Sequence, residues 1–145
     1  MLIREAVETD RLLLRPESVD DGEAIYAMNT DPEVMRHIGD GRPWTSPIEE
    51  FLEQHRRALK KAALNPYGNV SVVLKTTGEY LGWCGLTPES RLGGVQLGYR
   101  FFRRAWRRRY ATEAARAVAA IGFASLGLER IHAAVFPEKD RKSVV

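Results

Sequence analysis

Cysteine occurs once in these 145 residues, at Cys84. No internal disulfide can form, and such cysteine usage fits a reducing, cytoplasmic compartment. No apolar run is long enough to cross a bilayer, so a membrane span is not expected. A secretion signal is missing too, because Glu5, Glu8 and Asp10 interrupt the stretch where an unbroken apolar segment would be needed. The histidines His37, His55 and His132 show no metal-ligand spacing, so no metal is expected. Repeats and low-complexity segments are absent, and the length suits one domain over 1–145 with a real core. The charge excess is small, +3 with a pI of about 9.2. It allows an anionic ligand or nucleic acid without demanding either.

What is present is a run of short elements with clear punctuation. "RLLLRP" (11–16) is an apolar run closed by a proline and reads as a strand. "SVDDGEAIYAMN" (18–29) reads as a helix capped by Ser18, with acids in its first turn. "DPEVMRHI" (31–38) repeats that logic, with Asp31 as cap and Pro32 in the first helical position. A third helix is expected over 46–63, capped by Ser46, with Ile48, Phe51, Leu52, His55 and Leu59 along one face. The texture then changes. "NVSVVLK" (69–75) and "EYLGWCGL" (79–86) read as a hairpin, and "GGVQLGYRFF" (93–102) as a further strand with Val95, Leu97 and Tyr99 on one face. Residues 110–126 form a mostly apolar helix ended by Gly127, and "RIHAAVF" (130–136) is another strand. Strand, long helix, strand is a βαβ unit, so the fold class is α/β (α+β) with a mixed, mostly antiparallel sheet and one crossover.

"AWRRRYATEAARAV" (105–118) sets three arginines where that long helix begins. A helix N-terminus is already electropositive, so arginines there are mildly unfavourable unless an anion is bound. A helix entered from a strand offers free N–H groups to such an anion, and Arg103, Arg104, Arg107, Arg108 and Arg109 supply guanidinium forks. Two other readings stay open at this point. The arginines are a solvated basic face, or they bind nucleic acid with Trp106 and Tyr110 as stacking platforms, which the rest of the chain is not basic enough to favour.

"TDRLLLRP", "DPEVMRHIG", "GEYLGWCGL", "QLGYRF", "AWRRRYATEAARAV" and "GFASLGLERIHAAVFPEKDRKS" follow one another as they do in the GNAT superfamily of N-acetyltransferases. The sequence resembles above all the branch that acetylates ribosomal-protein N-termini, such as those with alanine, and related amines. The resemblance runs from about residue 9 to the end. It implies acetyl-coenzyme A as co-substrate and a splayed strand pair whose gap takes the pantetheine arm. The cofactor-binding residues it implies are Leu97, Gly98, Tyr99, Arg100 and Phe101 on the splayed strand. The diphosphate would rest on the turn Arg107, Arg108, Arg109, Tyr110, Ala111 and Thr112. It also implies an acceptor groove beside residues 31–44, with Met35 and Trp44 as substrate-binding residues. A closing C-terminal helix and hairpin, usual in the family, are expected to be missing, as after a truncation.

The chain departs from the family pattern in three places. Glycines are usual where Arg107 and Arg109 stand, and an arginine at 109 must adopt ordinary φ or bear strain. Gln96 stands where relatives often carry a glutamate base, and glutamine takes no proton at neutral pH. The family's Asn-x-x-Ser reads here as Asp140-Arg141-Lys142-Ser143. The catalytic residues implied are Gln96 to position a water, Tyr99 through its backbone N–H, and Ser143 as proton donor to the thiolate. Glu79, Glu89 and Glu138 are further carboxylates with no spacing argument behind them, and Cys84 reads as a core thiol. The acceptor expected is a primary amine, a protein N-terminus or a small molecule, attacked directly in a ternary complex by a monomer or homodimer. A degenerate relative that binds coenzyme A, a protein or RNA without turnover is the alternative.

Overall fold

The computed structural model describes residues 1–89 and 94–133. Among these, six strands form one sheet in the order β1-β2-β3-β4-β5-β6. They are β1 (Val7–Glu8), β2 (Leu12–Pro16), β3 (Gly68–Leu74), β4 (Tyr80–Glu89), β5 (Gly94–Phe101) and β6 (Ile131–Ala133). Neighbours β1 to β5 pair antiparallel, and β5 with β6 is parallel. This is the mixed, mostly antiparallel sheet with a crossover that the sequence pattern predicts. The two-residue β1 was not anticipated, since a strand that short carries no period to read.

The helices are α1 (Gly22–Asn29), α2 (Pro32–Met35), α3 (Ile48–Ala62) and α4 (Tyr110–Ser125). The helix expected from residue 18 enters through a 3₁₀ turn, Val19–Asp21, closed by a reciprocal capping box between Ser18 and Asp21. α2 has its Asp31 cap and Pro32 but is only one turn long, because Gly39 and Gly41 take positive φ just beyond it. For α3 the expected Ser46 cap is wrong. Pro47 holds the cap position without a side-chain bond, and the Ser46 carbonyl accepts from the Tyr26 hydroxyl at 2.6 Å.

α4 packs on one face of the sheet. Its Ala114, Ala115 and Val118 are completely buried in the same cluster as Cys84, Leu86 and Leu97. Small residues let the helix axis approach closely: a Cβ at Gly122 would come within 3.0 Å of Ile131 and Leu86. The helices α1 and α2 cover the opposite face, with α3 packed against α1, and Met28, Val34 and Met35 form a smaller core against Trp83, Phe102 and Trp106. Strand alternation sends Val95, Leu97 and Phe101 toward α4, and Gln96, Gly98 and Arg100 toward α1.

One cross-strand row organises that second face. Arg15, Ser71, Trp83 and Arg100 stand opposite one another on β2, β3, β4 and β5. The segment from Asp21 to Asn29 lies across this row. Asp21, at the start, accepts from Arg15 at 2.7 and 2.9 Å and from the Ser71 hydroxyl at 2.8 Å. Asn29, at the end, accepts from Arg100 Nη1 at 2.7 Å. α1 is therefore pinned at both ends to opposite sides of the sheet.

Candidate functional site

The site grows from the backbone between β5 and α4. After Phe101 the chain makes a 3₁₀ turn, Arg103–Ala105, and Trp106 Nε1 donates back to the Phe101 carbonyl at 3.0 Å. Arg107 and Arg109 then take left-handed φ values of 65° and 64°. The turn thus keeps a conformation suited to glycine although both positions are arginine, and the expected choice between ordinary φ and strain falls on strain. A non-glycine residue there carries of order 1 kcal/mol, and such strain collects where a backbone surface is needed for something else.

What the turn provides is a set of amides. Arg109 is the N-cap of α4 and makes no side-chain cap. The first-turn N–H groups of a helix have no intrahelical acceptor, and Glu113, the acid of that turn, is drawn away from them. Its carboxylate accepts from Thr9 Oγ1 at 2.5 Å, from the Arg11 amide at 2.8 Å and from Arg11 Nε at 2.7 Å. Partial burial raises its pKa, but these donors outweigh that and hold it below the usual carboxylate range. Arg11 also donates to the Arg108 carbonyl at 2.9 Å and lies over the Tyr110 ring at 4.5 Å. The β1–β2 loop therefore buttresses the turn from outside. Sequence reasoning missed Thr9 and Arg11, which lie about a hundred residues away and carry no local signal.

The arginine cluster divides in two. Arg103 pairs with Asp31 at 2.9 Å and Arg104 with Glu79 at 2.5 Å. Those two are committed elsewhere, contrary to their grouping around the turn. Arg107, Arg108 and Arg109 are exposed and make no ion pair among the described residues. Three exposed guanidinium groups without an ion pair among the described residues, at a helix dipole's positive end, suit a diphosphate well.

A narrow cleft, open to solvent, joins this turn to the end of β5. Tyr99, Arg100 and Phe101 line it from the strand, Arg107, Arg109, Tyr110 and Ala111 from the turn, and Val34 and Trp106 from the opposite face. Two parts of the chain assigned to one cofactor on sequence grounds thus share one cavity. Thr112 lies outside it, in an adjoining depression with Arg11, Arg109 and Arg116. Pairing of β5 with β6 runs from Val95↔Ile131 to Leu97↔Ala133. Beyond Leu97 that edge of β5 faces no described strand.

The side chains of Gln96 and Tyr99 lie apart, which leaves the role expected of the Tyr99 backbone N–H untouched. Gln96 and Tyr99 sit on opposite faces of β5, with Gln96 opposite Thr87 and His132, and Tyr99 edge-on to Phe101 at 5.9 Å. Ser143, Glu138 and the side chain of Glu89 lie outside the described residues. Glu79 is held by Arg104. No carboxylate lines the cleft among the described residues. Met35 is core, and Val34 rather than Met35 reaches the cleft. Trp44 is anchored rather than loose: its amide donates to the Asn29 carbonyl at 2.8 Å and its indole packs edge-on to Phe51 at 5.8 Å.

Cys84 is completely buried, and burial pushes its thiol up to about 12. A thiol so far from its thiolate is no nucleophile at neutral pH. Cys84→Ala is expected to lose roughly 1 kcal/mol of stability through the small cavity it leaves. Its turnover with any acceptor should stay intact, measured in the same thiol-release assay as wild type. A folded but inactive variant would restore the nucleophile.

Comparison with known proteins agrees with this geometry. The acetyltransferase (GNAT) domain family matches residues 11–143. The chain is 30% identical over 137 residues to the uncharacterized N-acetyltransferase p20 of Bacillus licheniformis, covering 92% of this chain and 75% of that one. It is 30% identical over 133 residues to the FsC-acetyl coenzyme A-N(2)-transacetylase of Aspergillus fumigatus, covering 86% and 55%. Among solved structures, a GNAT-family acetyltransferase from Bacillus anthracis superposes with a TM-score of 0.75 at 24% identity, covering 93% of this chain and 76% of that one.

Proposed function

Since the chain belongs to the GNAT acetyltransferase family, and is thereby an acetyl-coenzyme A-dependent acyltransferase, we propose that its acceptor is a primary amine attacking in a ternary complex. The observation that supports co-substrate binding is the left-handed turn at Arg107 and Arg109, which lines, with Tyr110 and Ala111 of α4, the same cleft that β5 borders. The residues present fit the co-substrate. The turn would hold its diphosphate through Arg107–Thr112, and the edge of β5 after Leu97, which faces no described strand, would take the pantetheine as an added strand. Acetyl-coenzyme A supplies an activated thioester. The protein's part is to hold that thioester and the amine in attack geometry, with a β5 amide near Tyr99 or Arg100 polarising the carbonyl. The relative from Aspergillus fumigatus, named an N(2)-transacetylase, supports an amine acceptor. A protein N-terminus and a small molecule both remain within this proposal, as does action in the cytoplasm.

Because no described carboxylate lines the cleft, the amine loses its proton to solvent before attack. Thiol release with a panel of peptides and small amines tests this. At low acceptor concentration the rate is expected to climb about tenfold per pH unit and level off above the acceptor's own pKa. A plateau far below that pKa would reveal a base on the protein. Gln96 and the arginines at 107 and 109 favour one second reading, a relative that binds coenzyme A without turnover. Calorimetric binding without thiol release from any acceptor would establish it.

A further inference from the structure

The cross-strand row on the α1 face contains two arginines treated differently. Arg15 is matched by a carboxylate: Asp21 takes two of its N–H groups, and Ser18 and Ser71 fill the remaining oxygen valence. Arg100, at the other end, has only the neutral amide oxygen of Asn29 among the described residues. Its guanidinium lies 5.3 Å from the Trp83 ring centroid, and Nε is shut away from solvent with no hydrogen-bond partner. Asp31 and Glu79, the acids paired with the neighbouring arginines in sequence, are taken by Arg103 and Arg104. Burial pulls Arg100 below its ordinary value. A half-buried cation whose Nε finds no acceptor among the described residues is costly to keep unless a further partner binds it. Arg100 also lines the cleft, on the face where the acceptor is expected to enter.

We propose that the amine acceptor also carries a carboxylate, and that the Arg100 guanidinium, oriented by Asn29 and Trp83, binds it. This rests on the acetyltransferase reading and narrows it to amino acids and amino-acid-like small molecules. The same charge repels polyamines and other acceptors cationic beyond the reacting amine. A charge-assisted pair between guanidinium and carboxylate would complete at Arg100 what Asp21 completes at Arg15.

Matched pairs of α-amino acids and their carboxamides test the assignment, with KM and kcat measured by thiol release for each. Acid and amide differ in amine basicity, so the decisive quantity is the change in their KM ratio on substitution. Wild type is expected to bind the acid more tightly, and Arg100→Met to raise the acid-to-amide KM ratio by about 30- to 100-fold. Arg100→Lys should fall between them, keeping charge but not the fork. Asn29→Asp guards against misfolding. It installs at Arg100 the partner that Arg15 already has, so the protein should melt no lower than wild type yet lose its preference for acids. A ratio unchanged in Arg100→Met or Asn29→Asp overturns the inference, as does a wild type that acetylates amides or diamines as readily as acids. Wild-type protein that fails to bind coenzyme A in calorimetry sinks the acetyltransferase reading itself, and this inference with it.

Discussion

Coenzyme A titrated into the Arg107→Glu/Arg109→Glu protein is expected to bind about 100-fold or more weakly than into wild type. Each guanidinium–phosphate bond is worth roughly 1.5–3 kcal/mol, and reversal adds repulsion to the loss. The folded state should not notice. Both side chains are exposed and unpaired among the described residues, and glutamate bears the same left-handed penalty as arginine. Melting temperature is thus the internal control, and equal affinity with an unchanged melt would refute the phosphate assignment. Replacing both residues by glycine separates charge from shape. Glycine adopts φ near 65° without a Cβ clash, so Arg107→Gly/Arg109→Gly should be stabler by about 1 kcal/mol per site. It should bind coenzyme A better than the glutamate pair, because the amides remain in place.

The largest stability effect is expected at Asp21→Ala. Asp21 is only 4% exposed, and its carboxylate takes bonds from Arg15, Ser18 and Ser71. Removing it leaves Arg15 without its counter-charge and orphans two further donors. Breaking a buried pair from one side costs about 3–5 kcal/mol, which for a chain of this length lowers the melting temperature by roughly 10–15 °C. Acid tells the same story. Burial raises the Asp21 pKa, but Arg15 with Ser18 and Ser71 more than offsets that and holds it below the ordinary aspartate value. A depressed carboxylate contributes fully above the unfolded-state pKa of about 3.9 and loses its contribution as pH falls through the folded value. The difference in stability between wild type and Asp21→Ala should therefore be constant near neutrality and shrink below about pH 4. A difference that persists undiminished at lower pH would show that packing, not charge, fixes Asp21.

The sheet was legible because its signals are local. Leu12 and Leu14, the β3–β4 hairpin and the alternation along β5 each declare themselves within a few residues, as do the Asp31–Pro32 start and Gly127 stop of helices. The turn at 107–112 was legible through composition and family resemblance together. What escaped was long-range. The hold of Thr9 and Arg11 on Glu113, and the spending of Arg103 and Arg104 on Asp31 and Glu79, depend on which charges the fold happens to bring together. Strand phase also orders β5. Gln96 and Tyr99 are three residues apart, so a period of two parts their side chains across the sheet, while the role implied for Tyr99 rests on its backbone. The same phase put Arg100 beside Gln96 on the α1 side, where its want of a carboxylate could be recognised only once Asn29 lay above it.

All three tryptophans of the chain border this region: Trp106 in the cleft wall, Trp83 beneath Arg100, and Trp44 bonded to Asn29. No indole elsewhere dilutes their emission. A ligand at the turn is therefore expected to perturb Trp106, and one at Arg100 to perturb Trp83, so that intrinsic fluorescence can follow each arrival without a label.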